Sequence, residues 1–184
     1  MPEFSCAVAD IQKISCDGQS GVAAIFYTKS TEIDFSATTL TGRTVTAWTM
    51  ESGGTWGEIS AERENARVDF LFNEDNGFFE VTATGLVIRG QQEARTTALE
   101  NMKQCCDLII QVHFENGVTR VFGQDYKDGS WVEPVRGCHV NRWLATSGAF
   151  GTADDKVRDD FDILGRQSSP PVFSTVDIAT MRTL

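Results

Sequence analysis

Two histidines, four prolines and no apolar run near the length of a membrane span exclude several kinds of protein at once. A membrane-crossing helix needs about 20 consecutive apolar residues, and no stretch approaches that. His113 and His139 are the only histidine bases on offer for nucleophilic catalysis, and no G-x-S-x-G accompanies them. Positive charge is scarce as well. Lys and Arg number 16 against 26 Asp and Glu, a net charge of −10 at pH 7, which argues against a grip on nucleic acid built by phosphate neutralisation. The start Met1-Pro2-Glu3-Phe4 leads into no apolar core of the kind a secretory signal requires. The five cysteines, Cys6, Cys16, Cys105, Cys106 and Cys138, are odd in number and sparse, which suits reduced thiols in a cytosol.

What is present is the punctuation of a β protein. At 184 residues with 41% apolar and 23% charged content, the chain fits one domain, residues 1–184, able to bury its own core. Leu108, Ile110, Val112 and Phe114 alternate with Ile109, Gln111, His113 and Glu115 before Asn116-Gly117. This predicts a hairpin with a two-residue type I′ turn, pairing Phe114 with Thr119, Val112 with Val121 and Ile110 with Gly123, and His113 with Arg120 on the other face. A second hairpin is expected from Val68, Phe70 and Phe72 into the strand from Phe78 to Ile88. With Asn76-Gly77 as its turn, Phe72 faces Val81, Phe70 faces Ala83 and Val68 faces Gly85. Between the hairpins, Ala94, Ala98, Leu99, Met102 and Cys105 or Cys106 recur at helical spacing, with Glu93, Arg95, Glu100 and Lys103 opposite, so a helix is predicted over residues 91–105. Further strands are expected at 21–28, 32–35, 44–50, 131–135, 138–145 and 158–164. The fold class is mainly β: an antiparallel sandwich or barrel with one flanking α-helix. Ser168-Ser169-Pro170-Pro171 breaks the last stretch, and Val172 to Leu184 reads as an arm.

Chemical motifs are wanting. Gly53-Gly54-Thr55-Trp56-Gly57 lacks both phosphate-loop spacings and reads as a flexible loop. Cys105, Cys106, Cys138, His139 and His113 are zinc-type ligands at the wrong spacing, and buried free thiols are the simpler reading. The acidic runs Glu58, Glu62, Glu64 and Asp154, Asp155, Asp159, Asp160, Asp162 do not fit a calcium loop; a solvated charged surface is simpler. Asp125 to Gly129 reads as a hairpin turn. No enzyme activity, cofactor or metal is therefore expected. Among the four tryptophans, Trp48, Trp56, Trp131 and Trp143, Trp56 stands out, since it sits in a polar, Gly-rich stretch with no evident partner within the chain. A loop-borne Trp makes a good interface anchor.

Taken in order, the strand from Cys16-Asp17-Gly18 to Tyr27, the hairpin and helix from Val68 to Cys105, the Leu108–Gly123 hairpin and the stretch from Cys138 to Ser147-Gly148-Ala149-Phe150-Gly151 resemble the tail tube and major tail proteins of long-tailed bacteriophages. The resemblance is one of segment order and rests on no short motif. It implies a β-sandwich or barrel with an outer helix, hexameric rings of identical subunits stacked into a tube, a tape-measure protein and other tail proteins as partners, and transient non-specific passage of DNA along an acidic lumen. It also implies manufacture in the host bacterial cytoplasm and residence in the virion tail, with no membrane insertion. On that reading, residues 1–15 and 172–184 are candidate arms and 51–65 a candidate inter-ring loop. Trp56, Glu58, Phe4 and Phe173 are the candidate inter-subunit contacts. Alternatives are a monomeric β-sandwich binding module, for instance one taking carbohydrate on Trp56, Trp131 or Trp143, or another virion component such as a neck, terminator or decoration protein.

Overall fold

The alternating runs become strands, and short ones fill the gaps between them. The computed structural model describes residues 21–61, 66–75, 77–89, 93–132, 137–146 and 158–184. In chain order these form β1 (Val22–Lys29), a 3-10 turn (Ser30–Glu32), β2 (Thr39–Thr41), β3 (Thr44–Ala47), β4 (Gly57–Ile59), β5 (Arg67–Asn73) and β6 (Phe78–Arg89). Helix α1 (Glu93–Gln104) follows, then β7 (Leu108–Phe114), β8 (Thr119–Phe122), β9 (Asp125–Lys127), β10 (Ser130–Val132), β11 (Cys138–Thr146), β12 (Arg158–Gln167), β13 (Val172–Ser174) and α2 (Ile178–Met181). The mainly β class with one substantial helix is as expected.

The strands fold into two layers that meet at one corner. One layer runs β4-β1-β7-β8-β13-β3-β2 and the other β11-β12-β6-β5, with β9 and β10 forming a separate ribbon. The layers are joined where Cys138 of β11 pairs with Leu108 of β7. There β8 has just ended, and Gly123 turns the chain away at φ +99°. A β-carbon at position 123 would lie 2.4 Å from the Leu108 carbonyl oxygen, so the corner admits glycine and little else. Among the described residues all the ladders are antiparallel but one: β13 lies parallel to β3 and antiparallel to β8.

The first layer is covered on both faces. Ile25, Tyr27, Ile110, Val112 and Phe122 face the second layer's Val81, Ala83, Val140, Phe161 and Ile163, with Ala98, Leu99 and Met102 of α1 joining this core. On the reverse face, Ala24, Phe26, Ile109 and Val121 pack with Val45, Trp48, Trp56, Val172, Val176 and Met181 in a second core. Six consecutive residues of β7 are consequently buried, as in strands covered on both sides.

Several sequence expectations need correction. At the β7–β8 turn, Ile110 pairs with Phe122, Val112 with Arg120 and His113 with Thr119, one residue away from the predicted register. The loop has three residues, since the Phe114 N–H donates to the Val118 carbonyl. Only Gly117 takes positive φ, whereas a type I′ turn needs two such residues. Asn116 instead uses its side-chain oxygen to accept from the Val118 N–H at 3.0 Å. The β5–β6 hairpin closes at Asn73–Phe78, leaving four loop residues. Phe72 then faces Phe79, Phe70 faces Val81 and Val68 faces Ala83, two residues from the predicted pairing but with faces preserved. In α1 the buried stripe is Arg95, Ala98, Leu99 and Met102, while Ala94 is exposed. The hairpin turn expected over 125–129 is there but is shorter: β9 takes Asp125–Lys127, and the turn itself is the two residues Asp128-Gly129, both at positive φ. The segment 172–184 is not an arm: β13 sits between β3 and β8, and Val172, Val176 and Met181 are buried.

Candidate functional site

The aromatic residues gather where the sequence could not place them. Trp56 is buried, at 6% exposure, with its ring centroid 5.2 Å from that of Trp48. Trp131 stacks on Trp48 at 6.1 Å and 16°, with Phe35 and Tyr126 set edgewise against it. Trp56 thus has a home within the chain, supplied by a tryptophan 8 residues earlier in sequence, and its ring is not offered at the surface. The first part of the expected 51–65 loop is held too, because β4 pairs with β1 through Ile59–Ile25 and Gly57–Tyr27. Residues 62–65, Phe4 and the 1–15 arm lie outside the described residues.

The 172–184 segment is fastened to the reverse face of the first layer by polar groups as well as by packing. Trp48 Nε1 donates to Gln111 Oε1 at 2.8 Å, and Gln111 Nε2 contacts His113 Nε2 at 3.0 Å and the Val176 carbonyl at 3.4 Å. His113 Nδ1 meets Thr119 Oγ1 at 3.0 Å. An amide NH2 facing Nε2 requires a lone pair there, which sets the neutral Nδ1–H tautomer. Burial lowers the His113 pKa from its ordinary value, opposed by Asp177 and Glu58. Glu58 clasps Arg182 through two bonds of 2.8 Å, a bidentate pair that ties β4 to the C-terminal segment.

Phe173 behaves differently. It is 42% exposed, and the Arg120 guanidinium lies 3.8 Å from its ring centroid and 5.6 Å from that of Phe70 on β5. Two exposed aromatics from opposite layers therefore flank one cation. From Phe70 the apolar surface continues along β5: Phe70 is 48% exposed, Leu71 67% and Phe72 48%. Phe72 is backed by Phe79 at 4.9 Å. Among the described residues no strand pairs with the outer edge of β5. The β5 sequence suggested a half-buried hairpin strand; that it would lie at a sheet edge had no sequence signal.

The remaining candidates are dispersed. Asp159 is buried and accepts from Trp143 Nε1 at 3.1 Å, whereas Asp160 and Asp162 flank Arg142 at 3.0 and 2.8 Å. Cys105 is disulfide-bonded, against the expectation of reduced thiols throughout, while Cys106 and Cys138 are free. Burial pushes the Cys138 thiol up to about 12, so it is inert at neutral pH. Among the described residues no three His, Cys, Asp or Glu side chains converge as a metal site, and no helix is long and apolar enough to cross a membrane. Comparison with known protein-family models, curated proteins and solved structures found no match, so the case for function rests on this geometry.

Proposed function

We propose that the chain is a self-assembling structural subunit of the tail-tube kind, packing against copies of itself in rings that stack into a tube. The observation that carries this reading is the β5 edge. Soluble proteins blunt exposed edges with Lys, Pro, bulges or a covering element, because unpaired N–H and C=O groups template further strands. Along Phe70-Leu71-Phe72 none of these devices is present among the described residues, and apolar side chains stand exposed on both faces of the strand. A second subunit laid against this edge would pair the backbone and bury Phe70 and Phe72 on one face and Leu71 on the other. Phe173, beside Arg120, extends the same patch onto the first layer. The net charge of −10 is consistent with a wall that repels DNA phosphates, and the segment order resembles that of tail tube proteins. Ring number and tube geometry follow from that resemblance alone.

Light scattering across a concentration series, with negative-stain imaging of the same samples, tests the reading. Rings or tubes are expected, and Leu71→Lys should return the protein to a folded monomer. A monomer at every concentration, or a Leu71→Lys variant that assembles normally, overturns it.

A further inference from the structure

We infer that the hollow between the loop following Ile33 and the β9–β10 ribbon is a binding site for a neutral, hydroxyl-rich ring ligand of the saccharide class. This is independent of assembly and draws on different residues. The hollow holds about 490 Å³, and the described residues that line it, Phe35, Ser36, Thr38, Gln124, Ser130 and Trp131 among others, carry no charge. That volume lies within the range of small-ligand pockets. Lining without charge disfavours phosphates, carboxylates and amines, which would be stripped of water without a counter-charge.

Two buried polar atoms of residues that line the hollow lack partners among the described residues. Gln124 is 2% exposed; its Nε2 donates to the Val132 carbonyl at 2.8 Å, but its Oε1 accepts from nothing. Trp131 Nε1 likewise donates to nothing. Buried polar groups are nearly always satisfied, and an orphan in a well-packed setting calls for a missing partner. One orphan here is an acceptor and the other a donor. A hydroxyl both donates and accepts, so a polyol supplies what each atom lacks. The apolar C–H faces of a pyranose also suit an aromatic platform, and the platform is already rigid: Trp131 is fixed by Trp48, Phe35 and Tyr126. A platform set before binding lowers the entropic cost of ordering side chains. Ser36 and Ser130 are exposed at the rim, and their hydroxyls add adaptable contacts.

The test is a titration of the full chain with cellotetraose, maltotetraose and chitotetraose, followed by tryptophan fluorescence and checked by equilibrium dialysis, with tetragalacturonate as the charged comparison. At least one neutral tetrasaccharide should bind saturably and the charged one should not. Gln124→Met, which also gives up the bond to the Val132 carbonyl, should lower the melting transition yet leave a folded chain, and should weaken binding about tenfold, the worth of one lost hydrogen bond to a buried acceptor. Ser130→Arg, which adds bulk and charge at the exposed rim, should abolish binding while leaving the fold unchanged. A hollow occupied by water alone would give no saturable response to any of the three sugars, and that overturns the inference. So does a Gln124→Met or Ser130→Arg variant that binds as the unsubstituted chain does.

Discussion

The 172–184 segment and the β5 strand are both short apolar stretches at the margin of a layer, and they are treated in opposite ways. The first is taken inside: β13 pairs on both sides, Val172, Val176 and Met181 are buried, and Gln111 reaches the Val176 carbonyl. The second is paired on one side only among the described residues, with Phe70, Leu71 and Phe72 exposed. Hydrophobicity alone does not separate the two. What separates them is whether the outward backbone groups have partners, and the segment that has them contributes to folding while the one that lacks them is available for association.

That contrast can be broken at the buried end with the largest effect. Val172→Asp places an unpaired carboxylate between β3 and β8, and urea denaturation should show a loss of more than about 4 kcal/mol or no folded protein at all. Next in size is Gly123→Ala, where the new β-carbon would meet the Leu108 carbonyl at 2.4 Å in a backbone at φ +99°. A cost of about 2–4 kcal/mol is expected, read as a lowered melting temperature; an unchanged transition would mean that the two layers do not need this corner.

Smaller effects sharpen the comparison. His113 is held neutral, with its folded pKa below the ordinary 6.5. As pH falls, the unfolded chain takes up this proton first, so stability is full above about 6.5 and declines below it toward the lower folded value. His113→Gln should flatten that part of the urea-midpoint profile between about pH 5 and 8, whereas an unaltered slope would assign it to other groups. Glu58→Gln should cost only about 0.5–1 kcal/mol, because Arg182 is 58% exposed and the pair is screened. Leu71→Lys should leave monomer stability within about 0.5 kcal/mol, as for other surface changes, while reducing self-association. If it instead unfolds the chain, β5 belongs with the buried segment and the contrast fails.

Elements defined by local pattern were legible. The alternation of β7, β1, β11 and β12 and the helical spacing of Ala98, Leu99 and Met102 located them to within a few residues. Registers were not, because Asn-Gly marks a turn without fixing its length. Asn116 spends its side chain on the Val118 N–H, and only the three-residue loop uses that bond. Burial on two faces was also hidden, since Gln111 and His113 read as the solvent side of a strand until the C-terminal segment covers them. Trp56 looked homeless because its polar, Gly-rich surroundings gave no sign that the chain turns back to set its ring against Trp48, 8 residues earlier in sequence. The charged Arg95 turned inward for reasons that helix periodicity alone cannot supply. Pro170-Pro171 signalled a break and therefore an arm; the break is real, but the chain beyond it returns to the middle of a sheet.

That return sets the order in which the fold can be completed during synthesis. β3 has its second neighbour only when β13 arrives, 130 residues downstream between Val45 and Thr175, and β8 waits for the same strand. Until then both carry bare ladders, and loop closure over such a span makes a contact slow to form. A nascent chain paused before Val172 would therefore expose two further adhesive strands besides β5, so translation speed and chaperone access through that interval should govern how much of the protein emerges assembled correctly and how much is lost to aggregation.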